Sequence, residues 1–352
     1  MARRIRGRGA AYNPPNRFEE LSREVLPPGE GEEPPGSIPT RYFTDTSRTI
    51  LARNDSPDIP FTWSINPYRG CEHGCIYCYA RPSHEYLGFS AGVDFETKIL
   101  VKPDAPALLA RALGARTWTP QVVALSGNTD PYQNVERRLR LTRRCLEVFL
   151  DCRNPVSLVT KNALVVRDAD ILREMARLDL VHVMVSVTSL DDDLIRIMEP
   201  RASSPALRLR AIAELSAQGI PVGVNVAPVI PGLTEQEIPA ILAAAASHGA
   251  RAASYILVRL PGSVERLFTE WLERELPARS ARVLGRIRQV RGGALSDSRF
   301  HLRGSGEGEF AGTIRSLFSL AAARAGLGTA WLPLATQHFR RPGGGGQDLF
   351  DR

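Results

Sequence analysis

Lysine is nearly absent from this chain. Its 352 residues include three, Lys98, Lys102 and Lys161, against 42 arginines. The imbalance reads first as the codon preference of a GC-rich genome. A lysine kept under that pressure marks a place where a planar guanidinium fork does not replace a compact ammonium. Long apolar runs are also lacking. None approaches the roughly 20 residues that a membrane-spanning helix needs, which speaks against a helical membrane protein. The basic opening MARRIRGRGAAYNPPNRF has no apolar segment after it and little serine, so neither a secretory signal nor a transit peptide is expected. The expected location is cytoplasmic. Cysteine is scarce too. Five in a chain of this length exclude the disulfide framework of a small secreted domain, and their clustering points to metal or redox chemistry instead.

What is present suffices for a large core, since 43% of the residues are hydrophobic. The formal net charge of +7 suits a nucleic-acid partner without specifying one. Residues 1–55 join four early arginines (Arg3, Arg4, Arg6, Arg8) to a Pro/Gly/Glu stretch, and read as a flexible, solvated arm. Over 56–275, six short apolar runs begin near residues 61, 121, 156, 181, 221 and 253 and alternate with helical patterns over 136–151, 167–178, 204–219 and 234–249. Asp168 and Asp170 are cap candidates for the second of these helices. Thr234, with Glu237 three residues on, reads as a capping box for the last. Strands alternating with helices, and apolar on both faces, predict a parallel α/β sheet. Six units are too few for the closed eight-stranded barrel. The predicted fold is therefore a partial (β/α)6 TIM-type barrel, with its site at the C-terminal ends of the strands. Residues 276–340 read as a mainly helical extension and 341–352 as a flexible tail.

The stretch GCEHGCIYCYA holds Cys71, Cys75 and Cys78 in the pattern C-x3-C-x2-C, directly after the first predicted strand. Three soft thiolates in one loop suit an iron–sulfur cluster with one iron left open. The alternative is a zinc site completed by His73 or His84. Cys145 and Cys152 fall on or just after an amphipathic helix and read as buried thiols.

The run CEHGCIYCYA resembles the radical SAM superfamily. Longer stretches, SGNTDPYQNVE, VTKNALVVRDADIL, SVTSLDDDLIRIMEPRASSPALRLRAI, GIPVGVNVAPVIPGL and IRQVRGGALSDSRF, resemble its spore photoproduct lyase-like branch, including bacterial proteins labelled DNA repair photolyase. The resemblance implies a [4Fe–4S] cluster on Cys71, Cys75 and Cys78. It also implies S-adenosylmethionine on the open iron, reductive cleavage to a 5′-deoxyadenosyl radical, a low-potential electron donor, and hydrogen abstraction from substrate. It further implies cofactor contacts for Tyr77, Tyr79, Thr129, Lys161, Ser186 and Asn225, with Gly232 letting backbone approach the adenine. Asp130, Tyr132 and Arg201 are the substrate-side candidates, the last two for an anionic group. The segment with Arg299 and His301 has no assigned chemistry.

One departure matters. Where spore photoproduct lyases carry a hydrogen-returning cysteine, this chain reads Ser126-Gly127-Asn128, which puts the thymine-dimer-splitting reaction itself in doubt. The terminal GQDLFDR resembles a bacterial sliding-clamp ligand presenting Gln347, Leu349 and Phe350. The reading is a radical SAM enzyme acting on nucleic acid. The rivals are the same chemistry on a protein or small molecule, and a non-enzymatic iron–sulfur protein that binds nucleic acid.

Overall fold

All six predicted strand runs form strands, because each concentrates β-branched residues in a short stretch whose two faces are both covered. A computed structural model describes residues 4–18, 37–331 and 333–342. In chain order the strands are β1 (Arg41–Thr44), β2 (Leu51–Arg53), β3 (Trp63–Ile65), β4 (Tyr68–Arg69), β5 (Lys98–Val101), β6 (Val123–Leu125), β7 (Val156–Thr160), β8 (Val181–Ser186), β9 (Val222–Val229) and β10 (Ala252–Leu257). The main sheet has the order β10-β9-β8-β7-β6-β3-β2. Its neighbours from β3 to β10 are parallel, and β2 closes one edge antiparallel to β3. A smaller sheet, β1-β5-β4, stands beside it. Every residue of β8, the most interior strand by sequence, is buried.

The helices between strands follow the expected faces, with local exceptions. Pro205–Ala217 begins with Pro at its first position and with Ser204 capping the Leu207 amide. The pattern over 136–151 is two helices, Glu136–Leu139 and Leu141–Cys152, parted by Arg140 at φ 52°. The cause is Glu136. Its buried carboxylate turns inward and accepts from the Thr142 and Arg143 amides, where the positive end of the second helix favours an anion. The next helix starts only at Ala169, and Asp168 does not cap it. Asp168 is instead held by Arg143 and Arg167. The expected capping box at Thr234 also fails. The Thr234 hydroxyl accepts from the Ile230 amide, while Glu237 reaches across to Ser189 and the Leu190 amide.

Two readings of the termini change. Arg8, expected in a solvated tail, is buried. It donates to the carbonyls of Glu96 (2.9 Å) and Ile38 (2.6 Å), and the amides of Gly9 and Ala10 donate to the Glu96 carboxylate. At the other end, Ile314 and Phe318 on the helix Gly308–Arg324 belong to the same apolar core as the sheet strands. Gln347, Leu349 and Phe350, the clamp-ligand residues, lie outside the described residues. Among the described residues no helix is long and apolar enough to cross a membrane.

Candidate functional site

The cysteine loop leaves the sheet beyond β3 and is shaped from beneath by one guanidinium. Arg81 is fully buried. Its Nε and Nη2 donate to the Cys75 carbonyl (3.0 and 2.9 Å), and Nη1 to the carbonyls of Ala91 and Gly92 (3.1 and 2.9 Å). It also pairs with the buried Glu96 carboxylate at 2.5 Å. A planar fork suits this task, because all its donors are fixed in one plane. Gly74, between the first two cysteines, has φ +68° and would press a Cβ onto the Glu96 carboxylate. Gly9 would press one into the Gly74 carbonyl. The N-terminal segment, Glu96 and Arg81 thus clamp the loop together.

Cys71, Cys75 and Cys78 are all free thiols. Cys71 and Cys75 are 7% exposed and Cys78 is half-buried. Burial raises the Cys71 thiol well above its ordinary range, and Asp130, Cys75 and Cys78 raise it further. Burial, then Glu199, does the same for Cys75. A metal bound here would have to displace protons from this loop. The thiols sense one another's charge, and three soft thiol ligands in one loop are of the type that suits an iron–sulfur core. Of the two histidines of the zinc alternative, His73 is engaged at both ring nitrogens, by Asp130 (3.4 Å) and the Asn162 amide (3.3 Å), whereas His84 donates Nε2 to the Lys98 carbonyl (2.9 Å) and leaves its buried Nδ1 without a partner among the described residues.

A second cluster lies against the loop. Glu199 is buried, and burial alone would raise its carboxyl. Arg208 and Lys161, with hydrogen bonds from Tyr77 and Thr188, outweigh that and hold it below the usual carboxylate range. Lys161 Nζ donates to Thr188 Oγ1 (2.9 Å) and to the Ala227 carbonyl (2.8 Å), and lies 3.2 Å from Glu199. The Tyr77 hydroxyl, one residue before Cys78, donates to the same carboxylate. Two cations around one carboxylate leave this pocket with a surplus positive charge. It faces the thiols of Cys75 and Cys78, both of which feel the Lys161 charge.

Sheet register brings the expected cofactor residues to one level. Ser186 pairs with Asn225 and Asn225 with Ser254, whose hydroxyl donates to Asn225 Oδ1 (3.0 Å). Thr160 pairs with Val185, so Lys161 falls level with Ser186. Tyr79, 46% exposed, lies over this edge and donates to the Gly127 carbonyl.

Other expectations separate from the site. Thr129 is buried and spends its hydroxyl on the Tyr68 carbonyl (3.0 Å). Asp130 is a brace, accepting from Thr160 Oγ1 and the Lys161 amide (both 2.7 Å). Tyr132 cannot meet an anionic substrate. It is fully buried and donates to Asp168 (3.0 Å). Arg201 lies on the outer side of the loop, with Thr40 (3.1 Å) and Glu72 (3.3 Å). There it lines a cavity of about 390 Å³ with Arg6, Arg8 and Tyr42. Gly232 packs its bare face on Val283 of the helix Pro277–Gln289, so the side a Cβ would take is filled by protein. Sequence reasoning missed Arg81, Glu96, Thr188, Glu199 and Arg208. Glu199 lies 9 residues from Arg208 and 11 from Thr188, and Arg81 lies 15 from Glu96, spacings that match neither a helix turn nor a strand pair and so mark nothing in the sequence.

The comparisons agree with this geometry. The family model of the radical SAM superfamily matches residues 65–245. An uncharacterized protein of Mycobacterium tuberculosis is 38% identical over 221 residues, which cover 62% of this chain and 65% of that protein. An uncharacterized protein of Methanocaldococcus jannaschii is 28% identical over 173 residues, covering 49% and 62%. The chain thus spans less than two thirds of the length of these relatives. Among solved structures, spore photoproduct lyase complexed with dinucleoside spore photoproduct has the same fold (TM-score 0.59, 18% identity, 82% of each chain). So does a mutant of that lyase with bound AdoMet and dinucleoside spore photoproduct (TM-score 0.59, 17% identity, 83% of this chain and 81% of that one). With its three-thiol loop at the C-terminal edge of a parallel sheet and the family match covering that loop and strands β6 to β9, the chain belongs to the radical SAM superfamily.

Proposed function

We propose that this chain is an iron–sulfur enzyme that cleaves S-adenosylmethionine reductively and takes a hydrogen atom from a nucleic-acid substrate. The observation that carries the proposal is the pairing of two sites on one strand edge, the braced thiol loop and the Lys161–Glu199 pocket. When bound, a [4Fe–4S] cluster and S-adenosylmethionine supply an electron and a primary carbon radical. Cys71, Cys75 and Cys78 would hold the cluster. The surplus cation at Lys161 suits a carboxylate, and Ser186 and Asn225 offer hydrogen bonds on the same level. Glu199 sets the position of Lys161 and, through Tyr77, ties it to the loop. The apolar core beneath the row excludes water from the reaction space.

We infer also that the parallel strands curl into a partial barrel. Five flat strands would hold the ends of β6 and β10 about 19 Å apart. Tyr79 touches Gly127 beyond β6 and Arg259 beyond β10, which supports a curved sheet. The reaction proposed is not thymine-dimer splitting by a thiol relay. Ser126-Gly127-Asn128 supplies no thiol, and Cys145 and Cys152 are buried in the core. The substrate proposal draws on the dinucleoside spore photoproduct bound by a structural neighbour and on the net positive charge of this chain.

Anaerobic reconstitution tests the proposal. Iron and sulfide should bind in near-equal amounts, and dithionite with S-adenosylmethionine should yield 5′-deoxyadenosine, more of it when DNA is present. A protein that takes up only zinc overturns the class. Cleavage indifferent to nucleic acid overturns the substrate.

A further inference from the structure

We propose that Arg259 and the open ring of Tyr79 form a nucleotide subsite, the guanidinium for a phosphodiester and the ring for a stacked base. The inference rests on the nucleic-acid reading above and gives that reading its contact residues.

Arg259 lies on the loop leaving β10, whose last residue is Leu257. Its Cζ stands 5.3 Å from the centre of the Tyr79 ring. Among the described residues it makes no hydrogen bond and no ion pair. That sets it apart from other half-buried arginines: Arg143 and Arg167 are each paired with Asp168, and Arg201 with Glu72. The carboxylate whose field reaches Arg259, Asp58, is already committed. Arg303 pairs with both its oxygens, and the His301 amide donates to it at 3.1 Å. Burial and the neighbouring Arg303 both act against the Arg259 charge, so a bound anion would relieve a penalty already in place.

The surroundings repeat the pattern. Arg303 Cζ stands 4.8 Å over the ring of Phe300, which is 51% exposed, as Tyr79 is 46% exposed. Two cations share one carboxylate, which leaves one positive charge between two open aromatic faces. Interleaved arginines and aromatic faces bind single-stranded nucleic acid, because each base offers a face to stack and each link a phosphate. A guanidinium matches a phosphodiester by its planar fork. The subsite adjoins Cys78, so a nucleotide held there lies over the metal loop. It also gives a role to the segment around His301, as the outer wall that neutralises Asp58.

The test uses the full chain, reconstituted anaerobically, and a short fluorescein-labelled single-stranded oligothymidylate read by anisotropy over a salt series. Arg259→Gln should weaken binding on the order of tenfold and lower the logarithmic salt slope by about 0.7, the value of one phosphate contact on a single strand. Arg259→Lys should keep the slope and recover part of the affinity. Arg266→Gln removes an equal charge from an exposed, ion-paired position and should change neither. Iron content and melting temperature identify any variant that has lost its fold. Equal weakening by Arg259→Gln and Arg266→Gln would reduce the effect to net charge and overturn the subsite. Unchanged affinity in Arg259→Gln, with the wild type still binding, would overturn the subsite and leave the nucleic-acid reading standing. No binding by the iron-loaded wild type at low salt would overturn both. Competition by polyglutamate as strong as by the oligonucleotide would replace the phosphodiester with an acidic protein.

Discussion

At the scale of single residues, Glu199 decides most. A buried carboxylate between Arg208 and Lys161 is stable only while all three remain. Glu199→Gln should therefore lower stability at neutral pH by about 3–5 kcal/mol, the usual consequence of leaving buried charge uncompensated. Chemical denaturation measures it, and an unchanged midpoint would refute the role. The pH dependence has a definite sign. The folded carboxyl is depressed, so its stabilisation is present above the unfolded carboxylate range and is lost as pH falls below about 4. The gap between wild type and Glu199→Gln should narrow in that acid window. His182 works the same way from a higher starting point. Burial pushes it down to about 4, and it stacks on Trp331 at 4.2 Å. Its neutral form dominates in the fold, so it withdraws stability as pH falls from about 6.5 to 4, by up to roughly 3 kcal/mol. His182→Phe should keep the stack and flatten the melting temperature over that range by one proton's worth of slope.

At the scale of elements, the thiol loop is a composite. Arg81 comes from the turn after it, Glu96 from the short helix Val93–Thr97, and Gly9 and Ala10 from the N-terminal segment. Arg81→Lys keeps the charge but has no fork to reach the carbonyls of Cys75, Ala91 and Gly92 together. The reconstituted variant should hold markedly less iron than wild type; equal iron at equal stability would show that the fork is dispensable. The same composite explains what the sequence could and could not disclose. The cysteine spacing was legible because all three thiols are local. So were the six strands, because their apolar runs are continuous. Lys161, Ser186 and Asn225 were named through the family resemblance, and the sheet register is what puts them on one level. Arg81–Glu96, Glu199–Arg208 and the inward turn of Glu136 were not legible, because their partners, 6 to 15 residues away, follow no helix or strand period and are met only through irregular turns. Tyr132 misled because its loop context pointed outward while the fold buries it against Asp168. Deleting residues 1–10 is also a poor probe of nucleic-acid binding, since Arg8 to Ala10 brace the loop.

At the scale of the whole molecule, the proposed cluster would couple folding to metal loading. A group that binds only the folded chain raises its stability by RT times the logarithm of one plus the ratio of its free concentration to its dissociation constant. The iron-loaded protein should therefore melt several degrees above the apoprotein, and chelation should reverse the gain. Cys71→Ala should bind little iron and show no such rise. A Cys71→Ala protein that still gained stability from iron would place the metal elsewhere.

The near absence of lysine gains a practical meaning once Lys161 is located. The three side-chain amines differ sharply in setting: Lys102 is buried, Lys98 is held by Asp94, and Lys161 is 15% accessible inside the pocket beside the thiols. An acylating reagent thus meets only two other side-chain amines, the more open being Lys98 at 32% accessible. Peptide mass mapping of the modified chain separates the three, so protection of the Lys161 amine with Lys98 labelling unchanged would report occupancy of the pocket even where no turnover is seen.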